Sequence, residues 1–584
     1  MRAKIVLMRA YLILLSGVGF LLLAGCATPR AGGFKAGPFL AQEIDPIGSA
    51  TVYGQFLAGQ AAVNQGESAS AAVYFGKAAG LEPGPDQGLL TTRTFTAALL
   101  AGDIAKAAAN APSGPDVDKS IRHLGALVRG VEAMASGAPK LAKTVLTGPD
   151  SGAPNEPAAA LLTPFAAAAA GDVDGSTVLP VIKAEPIAQF FANLDQGKLF
   201  ERARRYDEAE TAFRALIAKG DPGGIASLNL GEMLERRGRS GDAVGIYNSA
   251  IAAKKGDVEL QAARARAQRH GPAPAMQALK TSAAEALIAP ATALLIDKQE
   301  EIALAYLRLA LRLDPIRDEA WMLVGDILST NNDAAGARAA YLKVRVGSSQ
   351  YIDARTKLAW SYQSAKDQDT ALTLARETLV QKPNDQDALV TLADLLRADE
   401  RFDESAKVLD GLIGPKAESA NWRLLYMRAV DLGESGRWTE AERDLLTALK
   451  LRPDEPELLN FLGYSWIDRG IRLPEAMAMV QKAVTLQPQS GAMIDSLGWG
   501  YYRMGAYTTA VASLESAVVL EPGDPDVNNH LGDAYWRVGR KIEAGFQWRR
   551  VLTLDPPAKL RSEAETKLAS GLDVPPVAPV VASK

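Results

Sequence analysis

Side chains able to do acid–base, nucleophilic or metal chemistry are scarce in this chain of 584 residues, which holds three histidines and one cysteine. His123, His270 and His530 lie 147 and 260 residues apart, and none has a Cys or a second His at metal-ligand spacing. Acidic pairs such as Glu300/Glu301 and Asp454/Glu455 fall where helices would begin, and carboxylates are favoured there by the helix dipole. The basic clusters are short. Arg202/Arg204/Arg205 and Arg236/Arg237/Arg239 stand among Glu201, Asp207, Glu232 and Glu235, and Arg549/Arg550 is only a pair. No phosphate-tracking stripe results, and 64 Lys and Arg against 68 Asp and Glu leave a formal charge of −4, so a nucleic-acid partner is not expected. The phosphate-loop, HExxH, GxSxG and GxGxxG signatures are absent. These counts point away from an enzyme and give no reason to expect a metal or a cofactor.

The single cysteine occupies a telling position. Arg2, Lys4 and Arg9 precede an apolar run from Ala10 to Leu23, which is the pattern of a secretory signal. The run closes on Leu23-Ala24-Gly25-Cys26, which resembles the bacterial lipobox. That resemblance implies cleavage before Cys26 and a diacylglycerol thioether on its sulfur. One acyl chain holds a protein only marginally at a membrane, whereas two or three hold it durably. Ala27 stands where lipoproteins retained at the inner membrane often carry Asp, which favours the outer membrane. The expected location is the outer membrane of a Gram-negative bacterium, facing the periplasm.

The elements that would position any site repeat along the chain. Pro383, Pro453, Pro488, Pro522 and Pro556 are separated by 70, 35, 34 and 34 residues, and Pro315 precedes Pro383 by 68. A period of 34 residues marks a solenoid of stacked supersecondary units. Leu462-Gly463, Leu497-Gly498 and Leu531-Gly532 share one place in the period. Ala441, Ala476, Ala510 and Ala544 share another, followed four residues later by Leu445, Val480, Leu514 and Trp548. Each unit is expected to be two antiparallel helices, with Gly or Ala where the backbones cross and a large residue against it. Proline then ends the second helix, because it lacks an N–H and clashes with the preceding turn. One hairpin cannot bury its own apolar face, so stacking is obligatory.

This pattern resembles the tetratricopeptide repeat family, which implies an all-α fold: an α-solenoid of helical hairpins forming a right-handed superhelix. The expected organisation is a lipoprotein signal peptide over 1–25, a lipidated Cys and tether over 26–45, and divergent hairpins over 46–189. Degenerate repeats follow over 190–317, then a regular array over 318–558, and a helix end with a disordered Pro-rich tail over 559–584. Residues 258–283, interrupted by Gly271-Pro272-Ala273-Pro274, are expected to form a degenerate hairpin.

In that family the first helix of each pair lines a concave groove. Carried onto the last three units, the groove positions hold Asn460 and Tyr464, then Asp495, Trp499, Tyr502 and Arg503, then Asn529, Trp536 and Arg537. Aromatic anchors beside amides and arginines suit an extended peptide. Asp468, Asp495 and Asp533 oppose an anionic tail, so this is not the two-carboxylate clamp that binds chaperone C-termini. The stretch FLGYSWIDRG…LPEAMAMVQKAV…DSLGWGYYRMG…HLGDAYWRVGR also resembles tetratricopeptide outer-membrane lipoproteins, among them the LbcA-type adaptors of carboxyl-terminal processing proteases. The resemblance implies a non-enzymatic scaffold binding protein or peptide partners of the cell envelope and aiding a protease that acts on cell-wall hydrolases. The alternative is a helper lipoprotein for pilus assembly or polysaccharide export.

Overall fold

The computed structural model describes residues 51–81, 87–153, 155–182, 186–253, 256–415 and 421–572. Cys26, the leader over 1–25, the tether over 26–45 and the tail from 573 lie outside them. The described residues form thirty α-helices and one short 3₁₀ turn, with no β-strand among them. Consecutive helices pack in antiparallel pairs, and two compact units divide near residue 384.

The crossing inside each pair follows one rule. A Cβ added at Gly231 would lie 2.3 Å from the Tyr247 ring, and one at Gly498 would lie 2.6 Å from Leu514. Gly59 meets Phe75, Gly197 meets Phe213, Gly325 meets Tyr341, and Gly532 meets Trp548 in the same way. The glycine is on the first helix and the large residue sixteen positions on, or seventeen between Gly463 and Val480, so the large side chain fills the space a Cβ would need. Gly130 and Leu146 obey the same spacing, with a Cβ-to-Leu146 distance of 2.6 Å, and pair the helices Lys119–Ala135 and Pro139–Leu146. Helices end at Leu451, Leu486 and Leu520, two residues before Pro453, Pro488 and Pro522. Residues ahead of a proline are biased out of the α region, which sets those boundaries.

In the N-terminal unit the array does more than stack on its neighbours. The helices Leu279–Ile296 and Glu300–Leu313 pack on helices between Gln87 and Ala169. Arg308 Nε donates to the Leu100 carbonyl at 3.0 Å, Arg312 pairs with Glu132 at 2.8 Å, and the Tyr306 hydroxyl donates to Asn155 at 2.8 Å. An ideal solenoid repeat touches only adjacent repeats. Here Glu300–Leu313 buries nine residues, including Leu304, Tyr306, Leu309 and Leu311, which lie beyond the repeat's own contact stripe. A helix apolar on several faces needs partners on several faces.

Two expectations change. Residues 258–283 do not close into a hairpin of their own: the helix Val258–Gln268 is followed by non-helical chain from 271 to 278, where Pro272 and Pro274 deny it backbone donors, and Leu279 already begins the long helix Leu279–Ile296. Residues 558–570 are not the end of a repeat helix but a helix of their own, Ala558–Ser570, packed on Lys541–Leu552.

In the C-terminal unit five pairs precede that terminal helix. The last three are Pro456–Arg469 with Leu473–Leu486, Gly491–Arg503 with Tyr507–Leu520, and Pro525–Arg537 with Lys541–Leu552. Arg397 and Asp431 link its first two repeats through a buried pair at 2.6 Å, and the Ser405 hydroxyl also donates to Asp431 at 2.6 Å.

Candidate interaction surface of the last three repeats

Three first helices carry the nine candidate groove residues. Asp524 accepts from the backbone N–H groups of Asp526 and Val527 at 2.8 and 3.0 Å, and Ser490 caps the helix before it. These caps fix where Gly491–Arg503 and Pro525–Arg537 begin, whereas Pro456–Arg469 starts at a proline without a side-chain cap.

Trp499 is the centre of an aromatic ladder. Its ring stacks on Tyr502 at 4.6 Å and 9°, and on His530 of the next repeat at 4.2 Å and 17°. His530 Nδ1 lies 2.9 and 3.1 Å from the two oxygens of Asp495, whose side chain is fully buried. The Tyr502 hydroxyl accepts from Arg537 Nε at 3.2 Å, and Tyr507 meets the Tyr502 ring edge-on at 5.4 Å. Arg503 donates to the Asp468 carbonyl at 2.7 Å. The indole N–H of Trp499 is buried without an acceptor, and so is the Asn460 carbonyl oxygen without a donor.

The far end of the row is closed by the chain itself. Lys567 of the terminal helix donates to Asn529 at 2.9 Å and to Asp533 at 2.8 Å. Asp533 also accepts from Trp548 Nε1 at 3.0 Å. Trp536 tilts against Trp548 at 5.4 Å, Lys541 stands over it at 4.9 Å, and Gly571 rests on its ring.

Solvent access differs across the nine residues. Asn460, Trp499, Arg503, Trp536 and Arg537 keep partial access to solvent. Tyr464, Asp495, Tyr502 and Asn529 are buried, because repeat stacking and the terminal helix cover them. Burial, with the charges of Asp468, Asp495 and Asp526 added, holds the Tyr464 hydroxyl well above its ordinary range. Sequence reasoning missed Lys567. Its spacing of 34 from Asp533, one full period, was the available signal.

The remaining histidines stand elsewhere. His123 is buried with Nδ1 2.7 Å from the Ala153 carbonyl, and His270 sits in a left-handed turn at φ +51°. Among the described residues no three His, Cys, Asp or Glu side chains converge as a metal site. What the last repeats offer instead is a partly open indole, Trp499, with the partly exposed side chains of Asn460, Arg503 and Arg537 around it.

Paired helices with a small-residue crossing at fixed register define an α-solenoid of tetratricopeptide-like hairpins, an architecture of protein-interaction scaffolds. Residues 194–258, 301–351 and 426–491 match a family model described as tetratricopeptide repeat, and residues 500–539 match one described as TPR repeat. The TPR repeat-containing protein PA4667 of Pseudomonas aeruginosa is 35% identical over 97 residues, covering 17% of this chain and 16% of that protein. Thus the match spans about a sixth of the relative's length. Among solved structures, a tetratricopeptide repeat protein from Parabacteroides merdae is 13% identical. It covers 43% of this chain and 98% of that one, at a TM-score of 0.37. The Cut9–Hcn1 hetero-tetramer of the APC/C is 15% identical over 89% of this chain and 96% of that one, with a TM-score of 0.36.

Proposed function

We propose that this chain is a lipid-anchored scaffold of the Gram-negative cell envelope that holds a protein partner on the first-helix face of its last three repeats. The partner is a periplasmic protease acting on cell-wall hydrolases, or one of its substrates. The observation that carries the reading is the Trp499 ladder. It is a rigid, partly open aromatic backed by Tyr502, His530 and a buried carboxylate. Rigid aromatics set against desolvated surroundings are the usual energetic anchors of protein interfaces. Arg503 and Arg537 flank the ladder and place positive charge beside it, which suits a carboxylate.

The anchor rests on Cys26 at the end of its apolar leader. Tethering confines the scaffold to a layer at the membrane and raises its effective concentration for partners held there.

Affinity capture from envelope extract, with the tagged chain beside Trp499→Ala and Trp536→Ala, tests the surface. Truncating a hot-spot aromatic costs about 2 kcal/mol or more, roughly a thirtyfold loss of affinity. A protease or hydrolase retained by the unaltered chain and lost from the variants supports the reading, and equal retention refutes it. Metabolic labelling with an alkyne fatty acid tests the anchor: label is expected on the native chain and absent from Cys26→Ala. A native chain without label refutes the anchor.

A further inference from the structure

A second place in the molecule has the make-up of a binding site, and it lies in the N-terminal unit. The helices Pro186–Arg202, Ile225–Arg236 and Leu279–Ile296 enclose a cavity of about 730 Å³. Its walls include Phe165, Phe191, Leu194 and Ile288, and six carboxylates but only three cations line it.

The cations are already engaged. Lys198 Nζ lies 3.4 Å from Asp195 Oδ1 and 3.2 Å from Glu285 Oε2. Arg236 grips Glu201 through two hydrogen bonds at 2.8 and 2.9 Å and gives its remaining nitrogen to the Pro274 carbonyl at 2.9 Å. Arg202 donates to the Gln277 carbonyl. The carboxylates are not all satisfied. Asp195 is 4% exposed, and its second oxygen, Oδ2, accepts no hydrogen bond. Glu232 lies no closer than 3.5 Å to Arg266 and 3.8 Å to Arg236. Exposed Glu259 and Glu319 add two further negative charges to the lining. A buried carboxylate oxygen without a donor carries a large desolvation cost, which an arriving cation removes.

We infer that this cavity receives an arginine or lysine side chain from a protein segment, with the cationic head on Asp195 Oδ2 and the aliphatic stem along the apolar wall. Phe191 and Leu194 suit the methylene stem of such a side chain. The excess of carboxylates selects its charge. The cavity belongs to the N-terminal unit and the Trp499 ladder to the C-terminal one, and the inference takes from the scaffold reading only that the ligand belongs to a protein.

The test uses the purified chain and a fluorescein-labelled peptide, Ala-Leu-Ala-Arg-Ala-Leu-Ala, beside a twin in which citrulline replaces arginine. Fluorescence anisotropy should show the arginine peptide binding about tenfold more tightly. Asp195→Asn should abolish that preference at unchanged helicity. Glu232→Gln should reduce it, and serves if the first variant fails to fold. Equal binding of the two peptides, or a preference that survives both substitutions, overturns the inference. Spermidine displacing the peptide at a concentration below the peptide's own Kd overturns the assignment to a protein segment. Because Trp499 and Trp536 are untouched, failure here leaves the capture result of the last repeats standing, and the reverse also holds.

Discussion

At the scale of single residues, two buried carboxylates illustrate how the same group serves different ends. Asp495 is fully buried beside His530, which gives it a partner and fixes one face of the Trp499 ladder. Asp195 has Lys198 on one oxygen and nothing on the other, and burial pushes its carboxyl up to about 6, with Lys198 opposing and Glu285 adding to the shift. The ordinary value is 3.8, so between roughly pH 4 and pH 6 the folded chain keeps a proton that the unfolded chain has lost. Stability from this residue is full below pH 4 and falls as the pH rises through 6. Asp195→Asn should therefore narrow the difference in melting temperature between pH 4.5 and pH 7.5. The variant should gain about 1–3 kcal/mol relative to the native chain across that interval. Parallel melting curves for the two proteins at both pH values would contradict the assignment. None of this was visible in the sequence, where Asp195 is one acidic residue among many. What marks it is the convergence of three helices around it, and no short spacing records that.

At the scale of the element, the pairing rule was legible because it is local. A small residue, a large residue sixteen positions later and a proline near the next boundary all fall within one hairpin. The same rule in Lys119–Ala135 and Pro139–Leu146 is harder to read, because the second helix is only eight residues long, although Pro154 follows Leu146 at the spacing by which Pro522 follows Leu514. The rule makes opposite predictions for two glycines of one hairpin. Gly231→Ala drives a methyl to 2.3 Å from Tyr247 and should destabilise the chain by roughly 1–3 kcal/mol. Gly245→Ala, in the second helix with open space around its Cβ, should stabilise by about 0.5–1 kcal/mol. Chemical denaturation of both variants checks the pair, and shifts of the same sign would contradict the crossing geometry. Between elements, Asp431→Ala should cost about 3 kcal/mol or more, because it strands buried Arg397. A loss below 1 kcal/mol would show that Asp394, 2.7 Å away, suffices for Arg397.

At the scale of the whole molecule, each unit closes its own core. The larger of the N-terminal unit's apolar clusters runs from Ala62 to Leu358 because Leu279–Leu313 doubles back onto the early helices. A period read from sequence gives neighbours in the array, and contacts spanning two hundred residues have no periodic signature. The terminal helix escaped for a related reason. Ala558–Ser570 has only Leu560 and Ala564 fully buried, so its apolar stripe is thin, yet Lys567 and Gly571 close over the last repeat. That closure leaves the opening of the proposed surface at Asn460, Trp499 and the flanking arginines.

Placing p-benzoylphenylalanine at position 460, at position 503 or at position 519 and irradiating living cells tests the central claim most directly. Positions 460 and 503 flank the Trp499 ladder on first helices, whereas Val519 is 78% exposed on a second helix. The account predicts discrete protein adducts from 460 and 503 and none from 519. Adducts from 519 alone would contradict it, because the partner would then be held by the opposite helix of the repeat.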